Sequence, residues 1–260
     1  MYSNKKICAT IEVRMTSSRL PGKVLMDIMG KPAVQHIIER VKRSQYIDEV
    51  VVATTVNPLD DPIVELCRQI GCKYYRGSEE DVLLRVLDAA KSVDADIIVE
   101  IVGDCLVVDW RIADKLIEAF FAGEYHYASN ALERTYPLGF NVQVFPVSVL
   151  DEVDRLTKDP VDHEHVTFYI YNHPEKFRLF NMKAPESMTY PHIEITLDTK
   201  EDYEMIKSIY EELYTENTDF SAEEVVSLLL DKPEILKIAD NVKRRNPYEQ
   251  RKMQEKQDER

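Results

Sequence analysis

Near-continuous apolar, β-branched runs alternate with helical patterns over the first 121 residues, and this alternation constrains the fold more than any other feature. The strand-like runs are ICATIEV (7–13), VVVATT (50–55), KYYRG (73–77) and IIVEIVGD (97–104). Between them, PAVQHIIERVKR (32–43) places apolar residues at 33, 34, 37, 38 and 41, a helical spacing with Pro32 leading. DPIVELCRQIG (61–71) ends at Gly71, SEEDVLLRVLDAAKSV (78–93) opens on Ser78 as its expected N-cap, and WRIADKLIEAFF (110–121) closes the series. Strands apolar on both faces, each followed by a helix, predict an α/β fold: a mostly parallel sheet with helices on both faces.

The alternation stops after residue 121. Candidate strands are YHYAS (125–129), NVQVFP (141–146) and FRLFNM (177–182), with candidate helices VSVLDEVDRL (147–156) and HEHVTFYIYNH (163–173). Residues 122–190 are expected to form a small antiparallel lid or dimerisation section inside one domain spanning 1–240. PHIEITLD (191–198) reads as a returning strand, followed by helices over 200–214 and 221–230. Residues 241–260, with seven basic and four acidic side chains, read as a charged tail.

Charge narrows the function classes. The net charge of −14 disfavours nucleic acid and anionic lipid as partners. Residues 1–43 nevertheless hold nine basic and three acidic side chains, so this stretch is +6 and the remainder −20. A local positive patch on an acidic body suits a compact anionic ligand. No run of about 18 apolar residues occurs, which excludes a membrane-spanning helix. MYSNKKICATIEVRM lacks the apolar core and cleavage site of a signal peptide, and the four cysteines form no CxxC pair. The expected setting is the cytoplasm, with reduced, buried thiols.

The densest chemical signal directly follows the first strand: Arg14-Met15-Thr16-Ser17-Ser18-Arg19-Leu20-Pro21-Gly22-Lys23. Ligands of open parallel sheets bind beyond the carboxyl ends of the strands, where this loop falls. Two guanidiniums, an ammonium and three hydroxyls suit phosphate oxygens. The loop is neither GxxxxGK[ST] nor GxGxxG, which excludes the Walker ATPase and dinucleotide fingerprints. Gly103-Asp104 and Asp198 each place a carboxylate at a strand end, and two such groups can hold one Mg²⁺ together with substrate phosphates. Asp198 also reads as the start of a helix cap in Asp-Thr-Lys-Glu-Asp. Together these signals point to phosphoryl or nucleotidyl transfer. Asp94-Ala95-Asp96 precedes its strand and so lies at the wrong edge. His163 and His165 diverge if helical, which argues against a metal pair.

The segment from Val13 to Leu25, with Gly30-Lys31-Pro32, resembles the opening of the CMP-sugar synthetase (cytidylyltransferase) family, nearest to its subgroup called spore coat polysaccharide biosynthesis protein F. The resemblance extends through Val51 to Thr55, Arg76 to Leu83, Gly103-Asp104-Cys105, Glu164-His165-Val166-Thr167 and Leu197-Asp198-Thr199, and covers roughly residues 5–210. It implies a nucleotide-diphospho-sugar transferase (GT-A-like) fold and transfer of CMP from CTP to an anionic acceptor, with release of pyrophosphate, for surface polysaccharide biosynthesis. It implies that Arg14, Ser17, Arg19 and Lys23 contact the triphosphate. Asp104 and Asp198 carry Mg²⁺, while Thr54, Arg76, Gly77 and Ser78 face the base and ribose. Asn141, Gln143, Glu164 and His165 fall on the acceptor side, and two copies pair as a homodimer. The chain departs from the subgroup pattern at Asn141 and Gln143, where Asp and Glu are frequent, and at Cys105-Leu106. A glycosyltransferase of the same fold, using a finished nucleotide sugar, is the alternative reading.

Overall fold

The computed structural model describes residues 2–242, so most of the charged tail, residues 243–260, lies outside the described residues. Its strands are β1 (Ile7–Glu12), β2 (Asp27–Ile28), β3 (Lys31–Pro32), β4 (Glu49–Thr55), β5 (Lys73–Gly77), β6 (Ile97–Val102), β7 (Tyr127–Ser129), β8 (Gln143–Pro146) and β9 (Leu179–Asn181). β2 and β3 form a small hairpin, and the other seven build one sheet in the order β5-β4-β1-β6-β8-β7-β9. β5, β4, β1 and β6 pair in parallel, and β7 pairs in parallel with β9. β8 runs against both its neighbours, β6 and β7. The sheet is therefore mostly parallel, with one reversed strand joining its two parts.

The helices are α1 (Ala33–Val41), α2 (Asp61–Gln69), α3 (Val82–Lys91), α4 (Trp110–Ala122), α5 (Val147–Leu156), α6 (Pro160–Glu164), α7 (Phe168–Asn172), α8 (Lys200–Leu213), α9 (Ala222–Asp231) and α10 (Pro233–Lys237). Side chains alternate across each strand, so one face of the sheet presents Ile7, Ala9, Ile11, Val99, Ile101 and Val144 to the core built with α1, α4, α8 and α9. The opposite face presents Ile98, Tyr127 and Phe145 to α3, α5 and α7. Helices on both faces explain why the strands read as unbroken apolar runs.

Three expectations need correction. Residues 191–198 do not add a strand to the sheet. Ile195 donates to the Leu138 carbonyl (2.7 Å) and Leu197 to the Asp104 carbonyl (2.9 Å), so this extended segment bonds with loops. Its apolar alternation reflects burial of Ile193, Ile195 and Leu197 without sheet pairing. The expected helix over 163–173 is two short helices, α6 and α7, separated by Val166 in the left-handed region (φ 51°). Finally, Ser78 caps a turn before α3: its hydroxyl accepts from the amides of Glu80 and Asp81, and Asp81 caps the helix by accepting from Leu84 (2.9 Å).

Candidate active site

A change of character along one sheet face creates a cleft. On that face β1 runs Cys8, Thr10, Glu12, and β6 runs Ile98, Glu100, Val102. β8, running the other way, presents Phe145 and then Gln143. The first residue of each series packs beneath helices, while Glu12, Glu100, Val102, Gln143 and Ser129 line a cavity of about 590 Å³. The cavity opens at the carboxyl ends of β1 and β6, where open parallel sheets place ligands. No helix among the described residues is long and apolar enough to cross a membrane.

The loop after β1 forms the cationic wall. Asp60 anchors it from beneath: the Met15 amide donates to Asp60 Oδ1 (2.7 Å), while Thr54 Oγ1 (3.1 Å) and the Thr55 amide (3.1 Å) donate to Oδ2. Glu79 holds the outer side, accepting from the Thr16 hydroxyl and pairing with Arg14 at 3.7 Å. Arg14, Ser17, Ser18, Arg19 and Lys23 all line the cleft. Arg19 Nη2 and Lys23 Nζ both bind Asp198 Oδ1, at 2.7 and 2.9 Å, and Lys23 also donates to the Leu197 carbonyl at 2.6 Å. Arg19 Nη1 is buried without a hydrogen-bond partner.

Two carboxylates face these cations. The Leu197 amide on the Asp104 carbonyl ties the segment bearing Asp198 to the end of β6. Gly103 permits the approach of β6 to the end of β1, because a Cβ there would lie 2.3 Å from Val13 Cγ1 and 2.4 Å from the Glu12 carbonyl. Asp198 is not the helix cap: Thr199 and Asp202 form the capping box of α8, which leaves the Asp198 carboxylate to the cleft. Burial first, and the neighbouring Asp198 charge as well, push the Asp104 carboxyl above its usual range, against the pull of Lys23. Asp104 and Asp198 together offer the hard oxygen donors that suit Mg²⁺. Among the described residues there is no cluster of three or more metal-ligating side chains, so substrate oxygens and water would complete any such coordination.

Asn141, Gln143, Glu164 and His165 all line the same cleft. Gln143 Oε1 accepts from Tyr127 and from Thr167 (2.6 Å), which draws the break between α6 and α7 over the cavity. His163 points elsewhere. It donates from Nδ1 to Asp81 (2.8 Å) and from Nε2 to the Thr157 carbonyl (3.0 Å), so the two histidines diverge as the helical spacing predicts. Asp96 accepts from the Lys6 amide (2.9 Å) at the opposite end of the sheet from the cleft.

Thr54, Arg76, Gly77 and Ser78 do not line the cleft. Thr54 is buried and donates to Asp60, supporting the loop from below. Arg76 is on the edge strand β5, where its guanidinium binds the Thr55 carbonyl (2.8 Å), the Asn57 carbonyl (2.8 Å) and Asp61 (2.7 Å) beside an outer groove. Gly77 provides clearance for Arg85, whose Cγ would lie 3.0 Å from a Cβ at 77. The Ser78 carbonyl accepts from Arg85.

Sequence reasoning missed Glu12, Arg85 and Glu100, all of which line the cleft. The signal was present: Glu12 and Glu100 are lone charges in the apolar runs ICATIEV and IIVEIV, and Arg85 interrupts the apolar run VLLRVL. Burial pushes the Glu12 carboxyl up to about 8 and raises Glu100 well above its ordinary value, where the Glu12 charge adds to the effect.

The model of the cytidylyltransferase family matches residues 8–226. The chain belongs to this family. It is 36% identical to the spore coat polysaccharide biosynthesis protein SpsF of Bacillus subtilis over 231 residues, covering 86% of this chain and 94% of that one. It is also similar to a solved cytidylyltransferase from Leptospira borgpetersenii, with a TM-score of 0.85, 31% identity, and coverage of 93% of this chain and 100% of the other. The CMP:2-keto-3-deoxy-manno-octonic acid synthetase complexed with CTP shares the fold at a TM-score of 0.61 and 21% identity, covering 80% of this chain and all of its own. Family membership agrees with the expected α/β architecture and supports CTP-dependent nucleotidyl transfer as the class of chemistry.

Proposed function

We infer that the chain transfers CMP from CTP to an anionic small-molecule acceptor in surface polysaccharide synthesis, releasing pyrophosphate. The observation that carries this reading is the convergence of Arg14, Arg19, Lys23, Asp104 and Asp198 on one cleft, with Arg19 and Lys23 paired to Asp198. An ionised acceptor oxygen attacks the α-phosphorus in line, forming the new P–O bond as the bond to the β-phosphate oxygen breaks. Arg19, through its unpaired Nη1, Lys23 and Arg14 neutralise charge growing on the departing pyrophosphate, so catalysis is mainly positioning and electrostatics. Asp104 and Asp198 would hold Mg²⁺, which when bound neutralises phosphate charge and orients the triphosphate. A phosphate oxygen of the acceptor attacks already ionised and needs no general base, whereas a neutral hydroxyl must pass its proton to an Asp or His of the cleft. Pairing of two copies rests on the family resemblance and is read by light scattering.

The test is thermal stability of the full chain with CTP, UTP, GTP and ATP, each with and without Mg²⁺, followed by pyrophosphate release. Saturating ligand at 100 times its dissociation constant adds about 2.7 kcal/mol, which shifts the midpoint by a few degrees. A rise specific to CTP with Mg²⁺ supports the reading. A rise with nucleotide sugars and no triphosphate replaces it with glycosyl transfer.

A further inference from the structure

The floor of the cleft carries a second pair of acidic groups, Glu12 and Glu100, apart from Asp104 and Asp198. Thr10 of β1 faces Glu100 of β6 in the strand register, and Glu12 lies one step further along β1 on the same face. Glu12 and Glu100 line the cleft, and Glu100 is only 3% exposed. Their carboxyl groups bond to each other, yet Glu12 Oε2, Glu100 Oε2 and Thr10 Oγ1 are buried with no partner. Arg85, whose charge acts on Glu12, does not satisfy them. Its Nη1 is engaged with the carbonyls of Ser78 and Glu79, and its Nε is itself unpaired. Unpaired buried acceptors are costly, and charged ones more so.

We propose that this floor seats a protonated amine of the acceptor, making the acceptor a zwitterion with its anionic group at the nucleotide and its ammonium on Glu12 and Glu100. The proposal rests on the nucleotidyl-transfer reading above. An ammonium brings three donors and no acceptor, which suits two carboxyl groups that line the cleft and each keep an oxygen without a partner. A second anionic group there would meet like charge. A neutral hydroxyl would leave two buried carboxyls against the single guanidinium of Arg85. Without ligand, two adjacent carboxyls keep a proton between them. The ammonium replaces that proton, which leaves to solvent. Arg85, Asp104 and Glu164 are the other charged side chains around this part of the cleft.

The experiment measures pyrophosphate release and thermal midpoint for the full chain with CTP and Mg²⁺, offering matched acceptors that differ only in amine against hydroxyl. The probes are aminoethylphosphonate against hydroxyethylphosphonate, and glucosamine 1-phosphate against glucose 1-phosphate. The expected result is a preference of about tenfold or more for an amine member, the ratio that 1.4 kcal/mol produces. E100Q collapses that ratio toward one, and E12Q is the second variant should E100Q lower the unliganded midpoint. A ratio near one, a preference for the hydroxyl twin, or no response to any of the four while CTP still shifts the midpoint overturns the amine seat alone. If CTP with Mg²⁺ leaves the wild-type midpoint unmoved, the underlying transferase reading falls, and the seat with it.

Discussion

The two ends of the cleft are built on opposite electrostatic principles. At the mouth, the cations on the loop are held by the chain's own anions: Arg19 and Lys23 by Asp198, and Arg14 by Glu79. At the floor, one carboxyl oxygen each of Glu12 and Glu100 and the Thr10 hydroxyl are buried without a partner. The mouth must be shaped in advance, because a body of net charge −14 repels an anionic nucleotide. The floor has no such need, and its unmet oxygens select what may lie there.

The contrast can be tested in decreasing order of effect. D104A should reduce Mg²⁺-dependent pyrophosphate release by about 10³-fold or more, since one of the two carboxylates that would hold the ion is removed; release at the wild-type rate would sink the assignment of Asp104. R19A or K23A should cost about 10²-fold to 10³-fold, concentrated in triphosphate binding and rate. Equal loss for each CTP analogue shortened by a phosphate would instead place these cations away from the leaving group. D60A removes the acceptor for the Met15 amide, Thr54 and Thr55, and leaves their donors unpaired. It should destabilise the fold by about 2–4 kcal/mol in chemical denaturation, and an unchanged midpoint would mean that the loop does not depend on this anchor.

The smallest effect concerns pH. Both ring nitrogens of His163 face acceptors, so the bonded ring is an imidazolium. Burial alone would lower its pKa, but the Thr157 carbonyl and the Asp81 carboxylate outweigh that and raise it above 6.5. A pKa raised on folding stabilises fully below the unfolded value and loses that contribution as pH climbs through the folded one. H163Q should therefore lower the midpoint at about pH 6 and converge with wild type in alkaline buffer. A gap that is constant across pH would show that His163 contributes by packing alone.

The parallel half of the sheet was legible because each strand is buried on both faces and each helix carries its own periodicity. The loop from Arg14 to Lys23 was legible because so many phosphate-binding groups crowd one strand-to-helix junction. Where the structure departs from the sequence reading, the causes are physical. PHIEITLD alternates because its apolar side chains Ile193, Ile195 and Leu197 are buried, and burial does not require a sheet partner. HEHVTFYIYNH has helical spacing, but the bond from Thr167 to Gln143 brings the break between α6 and α7 to the cavity. Thr54 and Arg76 had suitable types in suitable segments, yet Asp60 and Asp61 claim them. Glu12 and Glu100 were hidden in strands whose other residues are core.

The shared engagement of Asp198 has a consequence for how binding responds to ionic strength. Cations that already carry an internal counterion do not release a full complement of salt ions when a phosphate arrives, because one anion is exchanged for another. Added salt therefore loosens the free state and the bound state together. Nucleotide affinity should fall with salt more gently than three cations on an exposed loop would suggest.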